Sequence, residues 1–168
     1  MTQSSWLALL DRQGGLDQPI GFDEIVVGHD FGLLGPAEIQ GWLKDQAFAG
    51  ARCGELARLA GEGLVRFEEV LWAACGEATG KVPRPGGQRW ARAQDRWRVA
   101  LLKDLLEAPL TAEALAVAVE SIYERVGCPE DMLGLWQRPN PWEKKQGLAD
   151  RKAIADFLRR KDGEGVRH

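Results

Sequence analysis

The sequence predicts an all-α protein: one compact domain over residues 1–168, a multi-helix bundle of about seven or eight helices. Three observations point there. Leucine, alanine, glutamate and arginine dominate while there is a single tyrosine, a composition that favours helix over strand. Apolar residues recur every three or four positions in segment after segment, which places them on one face of a helix. Between those segments lie glycine and proline clusters, the residues that end helices and start new ones. A chain of 168 residues buries roughly 70% of the surface its unfolded form exposes, so no metal or disulfide staple is needed to fold it.

In chain order, SSWLALLDRQ is a short amphipathic helix with a serine before it and a stop at Gly14-Gly15. FDEIVVGHDFGLL sets Phe22, Ile25 and Val26 at helical spacing, although Gly28 and the β-branched pair leave a strand open. Pro36 suits the first position of PAEIQGWLKDQAF, where its missing N–H is not needed; Ile39, Trp42 and Leu43 form its apolar face. ARCGELARLAGEG gives another short helix with Leu56, Leu59 and Ala60 on one side. LVRFEEVLWAACGEA is the most apolar segment. Its residues Leu64, Phe67, Val70, Leu71, Ala74 and Cys75 share one broad face, which predicts a central core helix, with Trp72 off to the side.

TGKVPRPGGQ, with two prolines and three glycines, is a loop. A long helix, QRWARAQDRWRVALLKDLLE, ends before Pro109, and Thr111 caps the next, TAEALAVAVESIYERV. Gly127 stops it, and Pro129 opens the short helix of CPEDMLGLW. RPNPW reads as an extended connector, DRKAIADFLRR as a last helix, and about 162–168 as a flexible polar tail.

The net charge of −3 conceals a segregation. Residues 1–80 hold five basic against twelve acidic residues, 81–103 seven against one, and 104–168 ten against twelve. A nucleic-acid-binding domain is usually basic as a whole; here one basic helix sits in an acidic chain. Cys53, Cys75 and Cys128 are odd in number and widely spaced, the pattern of free thiols in a reducing compartment. With no secretory h-region and no membrane-length apolar run, a cytoplasmic protein is expected.

QRWARAQDRWR packs two tryptophans and four arginines into eleven positions, which suggests a grip on nucleic acid. On a helix, however, Trp90, Ala93, Trp97, Leu101 and Leu105 form a core stripe, while Arg89, Arg92, Arg96 and Lys103 occupy an adjacent face. The aromatics are therefore expected to be buried. The arginines either bind an anion or pair with the acids of residues 1–80.

His29 is the one internal histidine, and Asp30 beside it points about 100° away on a helix, so the two do not form a catalytic pair. Walker, dinucleotide, HExxH and nucleophile-elbow motifs are missing, and the cysteines and histidines lack metal-ligand spacing; no catalytic residue, metal or cofactor is assigned. The paired carboxylates suit a basic protein partner. The candidate partner-binding residues are Asp23, Glu24, Asp30, Glu68 and Glu69, joined by Arg89, Arg92 and Arg96 toward an acidic patch. An exposed tryptophan, Trp72 or Trp142, would serve as a binding anchor.

Two stretches, GFDEIVVGHDFGLLGPAEIQGWL and SIYERVGCPEDMLGLW, resemble a family of small helical bacterial proteins. The resemblance rests on Ile25, Gly28 and the Leu-Leu pair in the first, and on Ile122, Tyr123, Gly127, Pro129, Glu130 and Asp131 in the second. Members look like immunity proteins, which protect a bacterium from its own polymorphic or contact-delivered toxins. The resemblance implies a non-enzymatic cytoplasmic protein that neutralises a cognate toxin by occlusion, and it carries over no catalytic residue. The alternative is a nucleic-acid-binding regulator using the basic helix 88–103.

Overall fold

The computed structural model describes residues 5–13, 19–46, 50–59, 63–136 and 150–165. Eight α-helices and one 3₁₀ helix are seen among them, and no strand. The helices are α1 (Ser5–Gln13), α2 (Phe22–Asp30), α3 (Pro36–Lys44), α4 (Ala51–Arg58), α5 (Leu64–Thr79), α6 (Gln88–Glu107), α7 (Ala112–Arg125) and α8 (Arg151–Gly165). The 3₁₀ helix, Glu130–Leu135, lies between α7 and α8. FDEIVV is thus helical, which settles the strand alternative left open by its β-branched pair. The segment CPEDMLGLW winds as 3₁₀ rather than α. Helix α8 continues through Gly165, into the stretch read as polar tail. The Gly14-Gly15 stop, the RPNPW connector and Trp142 lie outside the described residues.

The expected start and stop signals operate. Pro36 opens α3 behind Gly35, and Glu38 reaches back to the Gly35 N–H. Thr111 Oγ1 accepts from the Ala114 N–H at 3.2 Å. Thr111→Ala is therefore expected to cost about 1 kcal/mol, the usual value of a lost N-cap; an unchanged thermal midpoint would contradict it. At the end of α7, Gly127 takes φ +85° and Cys128 φ +54°. That left-handed turn lets Gly127 donate to Glu124 O and Cys128 to Tyr123 O, closing the carbonyls of the last turn.

Helix α6 is the hub: α1, α2, α7 and α8 all pack on it, while α5 lies against α2 and α4. This corrects the expectation that LVRFEEVLWAACGEA would be central. The reason is the breadth of the buried side of α6, which includes Trp90, Ala93, Trp97, Ala100, Leu101 and Leu102. Ala93 and Ala100 keep that side shallow, so neighbouring backbones come close. Leu105, the last member of the expected stripe, is only partly buried. On α5, Phe67, Val70, Leu71, Ala74 and Cys75 are buried as expected, but Leu64, at the first turn, is 57% exposed.

Helices α2 and α6 approach closely at Gly28. A Cβ on Gly28 would stand 2.6 Å from Cζ2 of Trp97 and 2.9 Å from Cδ1 of Leu34, so the absent side chain is what admits the indole. Trp97 is fully buried and its Nε1 donates to the Glu24 carbonyl at 2.8 Å. Phe22 and Trp42 meet edge to face at 5.2 Å, as do Phe31 and Trp90 at 6.0 Å.

Candidate partner-binding surface

The arginines of α6 turn out to serve the fold. Arg89 grips Asp23 with two N–H groups, Nε to Oδ2 at 2.8 Å and Nη2 to Oδ1, and also donates to Lys81 O and Thr79 Oγ1. Arg96 Nη1 reaches Glu24 Oε1 at 3.1 Å and Pro19 O at 3.2 Å. Glu24 in turn accepts from the Gly21 N–H at the start of α2. A ladder of opposite charges therefore zips α2 to α6, neutralising four of the eight candidate residues against each other. Arg92 is exposed and makes no ion pair among the described residues. Its neighbours' charges are spent inside the molecule, so the basic helix presents far less positive field than its composition suggests.

Arg98, which is not among the candidate residues, is a buried cation. Only 4% of its side chain is exposed. It donates through Nη2 to Asp131 Oδ2 at 2.7 Å, through Nη1 to Asp131 Oδ1 and through Nη2 to Asp95. Lys161 joins at 2.8 Å from Asp131, and the guanidinium lies 5.3 Å from the Phe157 ring centre. Burial alone would raise the Asp131 carboxyl, but hydrogen bonds from Arg98 and Lys161 outweigh it and hold the group at about 2. A helical wheel would have found this residue: Arg98 precedes Leu101, Leu102 and Leu105 by three, four and seven positions, inside the apolar arc.

Of the remaining three candidates, Asp30 and Glu68 come together where α2 ends against α5, while Glu69, one position on, pairs with Arg66 at 3.7 Å. Because the core face of α5 runs through Phe67, Val70, Leu71, Ala74 and Cys75, the opposite strip at 65, 69 and 72 faces outward. Val65 is 71% exposed and Trp72 44%, with Glu68 and Glu69 on the intervening turn. Asp30 lies near both His29 and Glu68, and its carboxyl is pushed up by burial and by Glu68, against the pull of His29. The result is an aromatic and apolar strip flanked by carboxylates. Trp72 was legible as a residue off the core face; Val65, seven positions before it, carries the same signal.

His29 sits behind this strip with both ring nitrogens engaged, Nδ1 3.0 Å from Leu34 O and Nε2 3.1 Å from Glu68 Oε1. Both partners are acceptors, so the ring donates to both when it carries two protons, and the neutral ring keeps one of the two bonds. Neither nitrogen faces open solvent as a general base would need to. Cys53 and Cys75 are buried and free, with burial raising both thiols, whereas Cys128 is exposed. Among the described residues, no group of three or more histidine, cysteine or carboxylate side chains could hold a metal ion, and no helix is long and apolar enough to cross a membrane. Comparison with protein-family models, with curated proteins and with solved structures gives no match.

Proposed function

We propose that this chain is a non-enzymatic binding protein of the immunity class, which neutralises a basic toxin by covering its active site or substrate path. The observation that carries the reading is the α5 strip: an exposed tryptophan and valine on one helix, with Glu68 and Glu69 on the turn between them and Asp30 near Glu68. A half-exposed tryptophan among apolar and charged neighbours has the make-up of an interface anchor. The surrounding carboxylates would steer a basic partner and set its register. Asp23, Glu24, Arg89 and Arg96 act in this reading as the frame that holds α2 in place, and no cofactor or metal takes part.

The test is affinity purification of the tagged full chain from its native lysate, with and without nuclease. One stoichiometric basic polypeptide that survives nuclease is expected. With that polypeptide in hand, Trp72→Ala is expected to weaken binding by about thirtyfold or more, the scale of an anchor residue. Recovery of nuclease-sensitive nucleic acid without such a polypeptide, or full affinity in Trp72→Ala, would overturn the reading.

A further inference from the structure

His29 stands where two elements meet, and its ring faces more acceptors than a neutral imidazole can serve. Nδ1 lies 3.0 Å from Leu34 O in the turn after α2, and Nε2 lies 3.1 Å from Glu68 Oε1 on α5. Only 9% of the side chain is exposed, and the Phe67 ring lies 5.8 Å away between centroids. A neutral ring carries a single N–H, so its other nitrogen would turn a lone pair toward an acceptor oxygen. Two simultaneous bonds need the imidazolium. The geometry is therefore that of the protonated ring, with a charge-assisted bond to Glu68.

Which bond survives loss of the proton follows from what each acceptor has left. Leu34 is buried, and among the described residues His29 Nδ1 is the one donor to its carbonyl. Without that donor a buried carbonyl is left unsatisfied. The Glu68 side chain is 31% exposed, so water can take the place of the ring there. Other charges nearby do not replace it. Asp30 on α2 carries the same sign as Glu68 and interacts with both Glu68 and His29, while on α5 Glu69 pairs with Arg66 at 3.7 Å. Arg89 and Arg96, the α6 cations that face α2, engage Asp23 and Glu24 in its first turn, at the far end from His29. We propose that His29 is a proton-operated latch on Glu68: the imidazolium ties the turn after α2 to α5, and the neutral ring keeps Leu34 O and releases the carboxylate. Release alters the charge on the turn between Val65 and Trp72. What that does to a bound partner rests on the reading proposed above, whereas the latch itself needs no partner.

The test is NMR of the full chain labelled with 15N and 13C, titrated from about pH 5 to about pH 9, either side of the ordinary histidine range. The His29 ring nitrogens are followed through their couplings to the ring C–H protons, and Glu68 Cδ is followed in the same samples. Both nitrogens are expected to be protonated near the acid end. Near the alkaline end the proton on Nε2 is lost and the ring is the Nδ1–H tautomer, the minor form of a solvated imidazole. The Glu68 Cδ shift is expected to step at the midpoint of the ring, and His29→Gln should abolish that step. A ring already neutral at about pH 5, a ring still doubly protonated at about pH 9, an Nε2–H neutral tautomer, or a Glu68 shift that does not follow the ring would each overturn the proposal. Since these measurements use the chain alone, they hold or fail independently of whether Trp72 anchors a partner.

Discussion

Trp97→Ala lowers the free energy of unfolding by about 3–5 kcal/mol, the cost of removing a fully buried tryptophan from a well-packed core. The value belongs at the upper end because the hole opens at the crossing of α2 and α6, where the surrounding backbones are already tied and cannot collapse freely. Trp97→Phe separates the contributions, since it keeps most of the buried area but loses the 2.8 Å bond from Nε1 to Glu24 O. The crossing also couples two positions. Gly28→Ala alone forces a methyl into the indole and costs about 1–3 kcal/mol, but after Trp97→Ala the same methyl enters the space the ring has left. The double variant is therefore expected to be more stable than the sum of the single changes implies. Urea unfolding followed by far-UV CD measures all three; strict additivity would mean that Gly28 does not admit the indole.

The second large effect is at Arg98. Removing one partner of a buried ion pair usually costs about 3–5 kcal/mol. Here Asp95 and Asp131 are each more than 40% exposed and keep Lys161, so about 2–3 kcal/mol is expected for Arg98→Ala. Arg98→Met, which keeps a long apolar side chain at this buried position, should recover part of the loss. The same cluster makes an acid signature. The Asp131 carboxyl lies at about 2 in the folded chain against 3.8 ordinarily, so its stabilisation is complete above about pH 4 and disappears as pH falls through about 2. Solvent screening of a half-exposed group limits that contribution to roughly 1 kcal/mol. Denaturation series at neutral pH and near pH 3 should therefore show the gap between the parent and Arg98→Ala narrowing by about half of that contribution. Parallel curves would remove Asp131 from the account.

Local signals in the sequence were reliable wherever the physics is local. Pro36, Thr111 and Gly127 mark helix ends because each acts on N–H or carbonyl groups within a few residues. Trp90 and Trp97 fall on the core side because a seven-residue step returns to one helix face. What the chain does not state locally is which charges meet. Arg89 and Asp23 are 66 positions apart, and Arg96 and Glu24 are 72 apart, so composition showed an excess of each sign without the pairing. For the candidate surface, the acids were legible and their fates were not: Asp23 and Glu24 became structural, while Glu68 and Glu69 lie on the turn before Trp72, with Asp30 near Glu68. Leu64 shows the reverse failure, an apolar residue at helical spacing in the first turn of α5 that is left exposed.

The ladder between α2 and α6 also bears on how the chain emerges during synthesis. Everything up to Gly80 is made before the basic helix exists, and that stretch carries twelve acidic groups against five basic ones. Its acids outnumber its bases, and although α2 already meets α5, the sides of α1 and α2 that pack on α6 lack their wall until α6 is made. At about 5–20 residues per second, the 20 residues of α6 take on the order of a few seconds to appear. The arrival of Arg89 and Arg96 then gives Asp23 and Glu24 their counter-charges and supplies the missing wall. The hub is thus the last of the main partners of α1 and α2 to be synthesised.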